Sequence, residues 1–197
     1  MRDYHPLNSF TPAHAGACTL TRPAPNPVTL DSPAIEVMTD LAHVAAITIE
    51  PSASIRAAND YMIARGVRSL FVTSPEGRVL GLITTHDILG ERPARVGHGR
   101  GVKPNELVVV DVMTPIDEVV AMRLEDVRAA KVGHIVASLK HAGRHHELVA
   151  ELRPSGDVQI RGIFSASQVA RQLGVPLQIT ELARTFAEIE QALHEAR

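Results

Sequence analysis

A tripeptide that occurs twice constrains the fold of this chain more than any other feature of its sequence. Val37-Met38-Thr39 recurs as Val112-Met113-Thr114. The same order of predicted elements follows each copy, which indicates an internal duplication. Each unit has about 60 residues, a size at which a separate core is only marginally stable, so we expect the two units to pack together as one module.

The segment after the first copy predicts a strand, a helix, a β-hairpin and a short helix. Ile55, Ala58 and Met62 have helical spacing, and Gly66 follows at a position where helices commonly end. Turn residues at 74–77 separate two β-rich runs, as in a hairpin. The predicted bounds are 44–49, 54–65, 69–73, 78–84 and 85–89.

The segment after the second copy predicts the same elements in the same order. Val132, Ile135 and Leu139 mark a helix that ends at Gly143. The predicted strands are 118–122, 147–152 and 158–165, and the last helix is 166–173. The sequence therefore predicts an α+β fold of two β-α-β-β-α units whose sheets pack face to face.

Three segments lie outside the two units, which span 34–90 and 108–174. Residues 1–33 contain six prolines, which predicts an extended or disordered arm. The basic, Gly-containing linker 91–107 is either a solvated loop or a segment that closes over phosphate groups. Residues 175–197 predict an amphipathic helix that packs on its own module or pairs with another chain. Its apolar stripe is Ile179, Leu182, Phe186, Ile189 and Leu193.

The composition restricts the class of partner. The net charge of −2 gives the chain no electrostatic surface of the kind that binds nucleic acid or anionic membranes. Cys18 is the single cysteine, which excludes an intramolecular disulfide and is typical of a cytoplasmic protein. No apolar run approaches the length of a membrane span. We therefore expect a cytoplasmic protein with no nucleic-acid or membrane partner.

The order of the elements, with the residues that separate them, resembles the CBS domain in a stand-alone tandem pair (a Bateman module). The resemblance covers about residues 35–174. Its motifs are 37–39, 64–72 and 81–89 in the first unit and 112–114, 143–149 and 162–168 in the second. Two copies in one order make the resemblance specific, although each motif alone is weak.

The resemblance implies a site for an adenosyl ligand in the cleft between the paired sheets. The family's ribose motif is Gly-x-x-Thr/Ser-x-x-Asp, which Gly81, Thr84 and Asp87 match. A carboxylate accepts hydrogen bonds from both ribose hydroxyls at once. Thr84 and Asp87 also fit a plain helix cap, and the two roles are compatible.

Other residues are assigned by their position in the family. Apolar or small residues that suit an adenine pocket, and equally suit plain core packing, are Leu41, Ala46, Ile47, Val67 and Ser69. Candidate phosphate ligands are His86, Arg92, Arg95 and Lys131.

The second unit departs from the motif. Ser165 matches Thr84, but Gln168 replaces the carboxylate and has one neutral carbonyl acceptor. His146 stands where the first unit has Ser69, which crowds the base pocket. This second site binds a different ligand, binds weakly or stays empty.

The function that the resemblance implies is regulatory. The module senses an adenine nucleotide or a related adenosyl ligand, such as AMP, ADP, ATP or S-adenosylmethionine, and signals to a protein partner by changing conformation. A homodimer is expected from the family, and no cofactor is required. The alternative is a dimeric scaffold that has no physiological nucleotide.

Catalysis and metal binding are not expected. The sequence has no nucleophile elbow, Walker-type phosphate loop or His-Glu zinc motif, so we do not expect an enzyme. The histidines at 134, 141, 145 and 146 have no cysteine or carboxylate at a recognised ligand spacing, so no metal site is expected.

Overall fold

A computed structural model describes residues 5–12, 18–20 and 28–175 of the chain. These residues form two four-stranded sheets with helices on their outer faces. No helix within them is long and apolar enough to cross a bilayer. Apart from Val175, the helix predicted over 175–197 lies outside the described residues.

The first half of the fold follows the predicted order. A 3-10 turn, Ala34–Val37, precedes the first strand. The elements are then β1 (Thr39–Asp40), β2 (Thr48–Ile49), α1 (Ile55–Arg65), β3 (Ser69–Thr73), β4 (Val79–Thr84) and α2 (Thr85–Leu89). The predicted strand 44–49 is therefore too long at its start.

Local chemistry explains the bounds of α1. The Ser54 hydroxyl accepts a hydrogen bond from the Ala57 amide at 3.1 Å and caps the first turn. The face with Ile55, Ala58 and Met62 is buried. Gly66 then ends the helix in the left-handed conformation, with φ of 65°.

The second half repeats the order and adds elements. The linker region holds α3 (Arg92–Arg100) and a 3-10 turn, Pro104–Glu106. The chain continues through α4 (Val109–Val112), β5 (Thr114–Pro115), a 3-10 turn (Ile116–Glu118), β6 (Ala121–Arg123), α5 (Leu124–Ala129), α6 (Val132–Ala142), β7 (His146–Leu152), β8 (Val158–Ser165) and α7 (Ala166–Gln172).

Two of the predictions for this half are wrong. The linker is not a loop, because α3 begins with Pro93 in its first turn and ends at Gly101 in the left-handed conformation. The strand predicted at 118–122 is shorter and later, at Ala121–Arg123, because a 3-10 turn occupies its start.

Each repeated tripeptide delivers a strand to the sheet of the other unit. β1 pairs antiparallel with β8, and β5 pairs antiparallel with β4. The sheet orders are therefore β1-β8-β7-β6 and β2-β3-β4-β5. Because of this exchange, each sheet contains strands from both sequence units, 34–90 and 108–174.

A glycine lies at the point of contact with each exchanged strand. A Cβ atom on Gly162 would lie 2.4 Å from the sulfur of Met38, which precedes β1. A Cβ atom on Gly81 would lie 2.4 Å from the carbonyl oxygen of Thr114 in β5. At Gly81 the backbone of the incoming strand leaves no room for a side chain, whereas at Gly162 the close atoms belong to the flexible side chain of Met38.

The end of the Pro-rich arm is part of the fold. The carbonyl groups of Leu30 and Ser32 accept hydrogen bonds from the Gly133 and Val132 amides at the start of α6, each at 2.9 Å. Since the first amides of a helix have no partner within the helix, the arm caps α6. Deletion of the arm up to residue 33 would remove this cap.

The sheets pack face to face, as predicted. Phe71, Leu82, Leu148 and Ile163 are buried in one cluster, with one residue from each of β3, β4, β7 and β8. The other faces of the sheets carry separate cores beneath the helices. Two clefts open beside this sheet-to-sheet contact.

Candidate functional site

The larger cleft has a volume of about 770 Å³ and an apolar wall from the first unit. The wall is formed by the loop between β1 and β2, by the residues after α1, and by the start of β3. Its predicted members are Leu41, Ala46, Ile47, Val67 and Ser69. All five residues predicted for an adenine pocket therefore line one cavity.

The opposite side of the larger cleft is polar and comes mainly from β8 and α7. The hydroxyl of Thr39 donates to the Gln168 carbonyl oxygen at 3.2 Å. The hydroxyls of Ser165 and Ser167 lie 3.0 Å apart. The amide nitrogen of Gln168 has no protein partner in the described part of the chain, so it can donate to a ligand.

Two arginines line the larger cleft, Arg68 on the first unit and Arg171 on α7. Neither side chain forms an ion pair within residues 28–175. Among the described residues, no aspartate or glutamate lines this cavity. The larger cleft therefore combines an apolar wall, hydrogen-bond donors and two positive charges.

The smaller cleft, of about 200 Å³, contains Thr84 and Asp87. The Thr84 backbone amide and hydroxyl donate to Oδ2 of Asp87 at 2.9 and 2.7 Å. The Asp87 amide is 3.3 Å from the Thr84 hydroxyl oxygen, which completes a capping box for α2. One carboxylate oxygen is thus fully engaged within the helix cap.

Arg92, at the start of α3, engages the second oxygen of the same carboxylate. Its Nη1 atom lies 3.0 Å from Oδ1 of Asp87 and 3.3 Å from the hydroxyl oxygen of Thr114. The side chain of Asp87 is only 13% exposed. A ribose at this carboxylate would therefore compete with Arg92 for Oδ1.

Bulky nitrogen-bearing side chains occupy the rest of the smaller cleft. Arg144, His145 and His146 take the positions of Val67, Arg68 and Ser69 in the first unit. The His145 ring is 5.9 Å from the His86 ring, centroid to centroid. The crowding predicted for the second base pocket stays a prediction, because Ser165 and Gln168, which were assigned to that site, line the larger cleft.

Burial lowers the pKa of two histidines of this cleft, His145 and His146. Desolvation, with smaller contributions from His145 and Arg68, lowers the pKa of His146 to about 4. Desolvation also lowers the pKa of His145, as do the nearby His86 and Arg68. The Nδ1 atom of His146 is buried without a partner in the described part of the chain, and His146 lines both clefts.

The equivalent hydroxyls of the two repeats have different structural roles. Thr84 caps α2 through its side chain, whereas Ser165 precedes α7 without a side-chain cap. Asp87 is held on both oxygens, whereas Gln168 has a free amide nitrogen. The hydroxyl and amide of the second repeat are therefore the ones left to contact a ligand.

The structure corrects the grouping of the predicted site residues. Leu41, Ala46, Ile47, Val67 and Ser69 do not join Thr84 and Asp87; they face Ser165, Gln168 and His146 across the larger cleft. The reason is the strand exchange, which brings the wall of one unit beside the last strand and helix of the other.

The predicted phosphate ligands also separate. His86 lines the smaller cleft, and Arg92 is bound to Asp87. Arg95 is exposed on α3 and lines neither cleft. Lys131 pairs with Asp31 at 2.7 Å, also outside both cavities. Two of the four are therefore placed away from any cleft.

Thr39, Arg68 and Arg171 are among the residues of the larger cleft that sequence reasoning missed. Thr39 belongs to the repeated tripeptide and Arg68 to a family motif, so both were visible as part of the repeat. Arg171 had no such signal, because it is one charged residue on an ordinary helix face. Within the described residues, no group of three His, Cys, Asp or Glu side chains could hold a metal ion.

A family model described as the CBS domain matches residues 25–93. No protein with curated annotation matches the chain significantly. The fold is similar to the crystal structure of a conserved uncharacterized protein from Pyrococcus horikoshii, with 22% identity, a TM-score of 0.54, and coverage of 78% of this chain and 100% of that chain.

A second solved structure is a conserved CBS domain protein of unknown function from Thermoplasma acidophilum. It shares 18% identity with a TM-score of 0.50, and the match covers 81% of this chain and 74% of that chain. The CBS domain model therefore covers the first unit, and the second unit repeats the same construction, so the fold is similar to that of CBS domain proteins.

Proposed function

We propose that this chain is a regulatory module that binds an adenine nucleotide or a related adenosyl ligand in the larger cleft. The observation that carries the proposal is the composition of that cavity. An apolar wall around Ala46 and Ile47 suits a purine ring, and donors on Ser165 and Gln168 face it. A volume of about 770 Å³ falls in the range of small-molecule sites.

The site is well placed to couple binding to a change in conformation. Its wall belongs to the first unit, whereas Gln168 and Arg171 lie on α7 of the second. A ligand that contacts both sides favours the arrangement in which both sides reach it. Because α7 leads into residues 176–197, we propose that ligand binding is relayed to a protein partner through that C-terminal segment. The proposal assigns no chemical reaction to the module.

The predicted ribose pair, Thr84 and Asp87, stays a prediction for the smaller cleft. A ribose bound there would compete with Arg92 for the carboxylate of Asp87. The family's homodimer also stays a prediction, which light scattering of the full chain would check.

Calorimetric titration of the full chain, freed of bound nucleotide, tests the proposal. The ligands are AMP, ADP, ATP, S-adenosylmethionine, NAD and a cyclic dinucleotide. We expect at least one to bind with one strong site per chain. Ala46→Trp fills the larger cleft and should weaken binding by roughly 100-fold, since the indole occupies the purine space.

Val120→Trp is the matched control. Val120 lines the smaller cleft and is half-exposed, so the substitution adds the same side chain to the other cavity. It should leave the affinity unchanged within about threefold. If none of the ligands binds, the sensing function is wrong and the dimeric scaffold becomes the better account.

A further inference from the structure

We infer that the larger cleft selects anionic ligands, so that a phosphorylated adenosine binds in preference to adenosine or to a sulfonium such as S-adenosylmethionine. This inference rests on the proposed function and names the ligand class for the same cavity. It comes from the charges that line the cavity.

The charged groups of the larger cleft all have the same sign. Arg68 lies at the end of the apolar wall, and Arg171 lies on the opposite side. No carboxylate lines the cavity, and neither arginine has a carboxylate partner in the described ranges. An unpaired arginine beside a cleft is suited to bidentate contact with phosphate oxygens.

The acidic residue that adjoins the cleft wall in sequence, Asp40, is bound to other partners. Asp40 adjoins Thr39 and Leu41, both of which line the cleft. Its carboxylate accepts a hydrogen bond from the Ala42 amide at 2.8 Å, lies 3.0 Å from Nδ1 of His43, and forms an ion pair with Arg161. It therefore does not offset the charge of the cavity.

An uncharged polar group of the larger cleft, the side-chain amide of Gln168, is available to a ligand as a hydrogen-bond donor. The carbonyl oxygen of Gln168 already accepts from Thr39, which leaves the amide nitrogen as its free group. That nitrogen can donate a hydrogen bond to the oxygen of a ribose hydroxyl. No carboxylate among the described lining residues can accept a hydrogen bond from the ribose. Binding strength must then come from elsewhere, and the two arginines are the strongest groups available.

The smaller cleft differs from the larger one in the charges that line it. It contains two carboxylates, Asp87 and Glu118, and Asp87 is neutralised by Arg92. The charges of the smaller cleft are therefore largely balanced within the protein. Selection for anions is a property of the larger cleft alone.

Affinity measurements with matched ligands test this inference. Adenosine, 5′-methylthioadenosine, AMP, ATP and S-adenosylmethionine would be titrated into the full chain at low and high salt. We expect AMP to bind at least about tenfold more tightly than adenosine, and S-adenosylmethionine to bind no better than adenosine. The preference for AMP should shrink as salt rises, because the cleft is open to solvent.

Three variants assign the effect to named residues. Arg68→Gln and Arg171→Gln should each remove most of the preference for AMP while leaving adenosine affinity unchanged. Arg95→Gln is the control, because it removes the same charge from an exposed site outside both clefts. Thermal unfolding would establish that all three variants are folded.

Two results overturn the inference, and they differ in what else they overturn. If adenosine or S-adenosylmethionine binds as tightly as AMP, the selection for anions is wrong while the proposed ligand site stands. If no adenosyl ligand binds at all, the proposed function fails and this inference fails with it.

Discussion

Equivalent positions of the two repeats line the larger and the smaller cleft. In the smaller cleft, the polar groups at these positions are already bonded to other groups of the protein. Thr84 caps α2, and Asp87 is held by that cap and by Arg92. At the equivalent positions of the larger cleft, Ser165 makes no cap and Gln168 keeps a free amide. A residue that matches a ligand motif is therefore not always free to bind the ligand.

The side chains of the two walls explain the difference in volume. At the start of the third strand of each unit, Ser69 lines the larger cleft alone, whereas His146 lines both clefts. His146 is large and mostly buried, and its neighbour Arg144 replaces a valine. The smaller cleft contains the carboxylate of Asp87, but its larger side chains leave less room for an adenine base.

The largest expected effect comes from giving the larger cleft the side chain of the smaller. Ser69→His should weaken AMP binding roughly 100-fold, because the imidazole occupies the position of the base. Isothermal titration would measure the change, with Ser69→Ala as the control that removes a group without filling space. Unchanged binding by Ser69→His would show that the base lies elsewhere.

The reverse exchange, His146→Ser, should alter the pH dependence of stability. His146 has a pKa of about 4 in the folded chain and about 6.5 when unfolded. The unfolded chain therefore binds the proton first, and this group's contribution to stability is lost as the pH falls from 6.5 towards 4. The loss is on the order of 3 kcal/mol for a shift of this size.

Urea unfolding of wild type and His146→Ser at about pH 7 and about pH 4.5 would measure this difference. The variant should lose less stability on acidification. His145 contributes in the same direction, whereas Glu147, whose pKa burial raises, contributes in the opposite one. Equal losses in the two proteins would mean that His146 is not kept neutral by the fold.

Removing the ion pair between Asp87 and Arg92 should increase the ligand affinity of the smaller cleft. In Arg92→Ala the Oδ1 atom of Asp87 loses its ion pair. We expect adenosine affinity at the smaller cleft to rise by about tenfold, seen as a second binding event in calorimetry. The double variant Arg92→Ala/Asp87→Ala should abolish that event. No change in Arg92→Ala would mean that the bulky histidines, and not Arg92, close the cleft.

The smallest expected effects come from removing the side-chain hydroxyl group of Thr84 or of Ser165. Thr84→Val removes the α2 cap and should cost about 1 kcal/mol of stability while leaving binding in the larger cleft unchanged. Ser165→Ala should cost little stability, because Ser165 makes no side-chain cap, and should weaken nucleotide binding several-fold. Thermal unfolding and titration of both variants would separate the roles; the reverse pattern would contradict them.

Local patterns allowed much of the fold to be predicted. The bounds of β3, α2 and β8 match the prediction, since apolar runs and turn residues mark them within the sequence itself. α3 was missed because Gly97 and Gly99 are poor helix formers and the segment has no apolar stripe. Its proline in the first turn and its terminal Gly101 were signals of a helix that the loop interpretation overlooked.

The candidate site could be predicted by residue but not by grouping. Leu41 and Val67 line a cavity, but the residues that face them, Ser165 and Gln168, come from the other unit. That combination depends on strand exchange by β1 and β5, each only two residues long. Such short strands have no periodicity to detect, and their partners are distant in the sequence.

A crystal structure of the full chain with AMP tests the central claim most directly. The account predicts adenine against Ala46 and Ile47, the ribose near Ser165 and Gln168, and the phosphate beside Arg68 or Arg171. The ion pair between Arg92 and Asp87 should remain closed. A nucleotide with its ribose on Asp87 and with Arg92 displaced, while the larger cleft stays empty, would contradict the account.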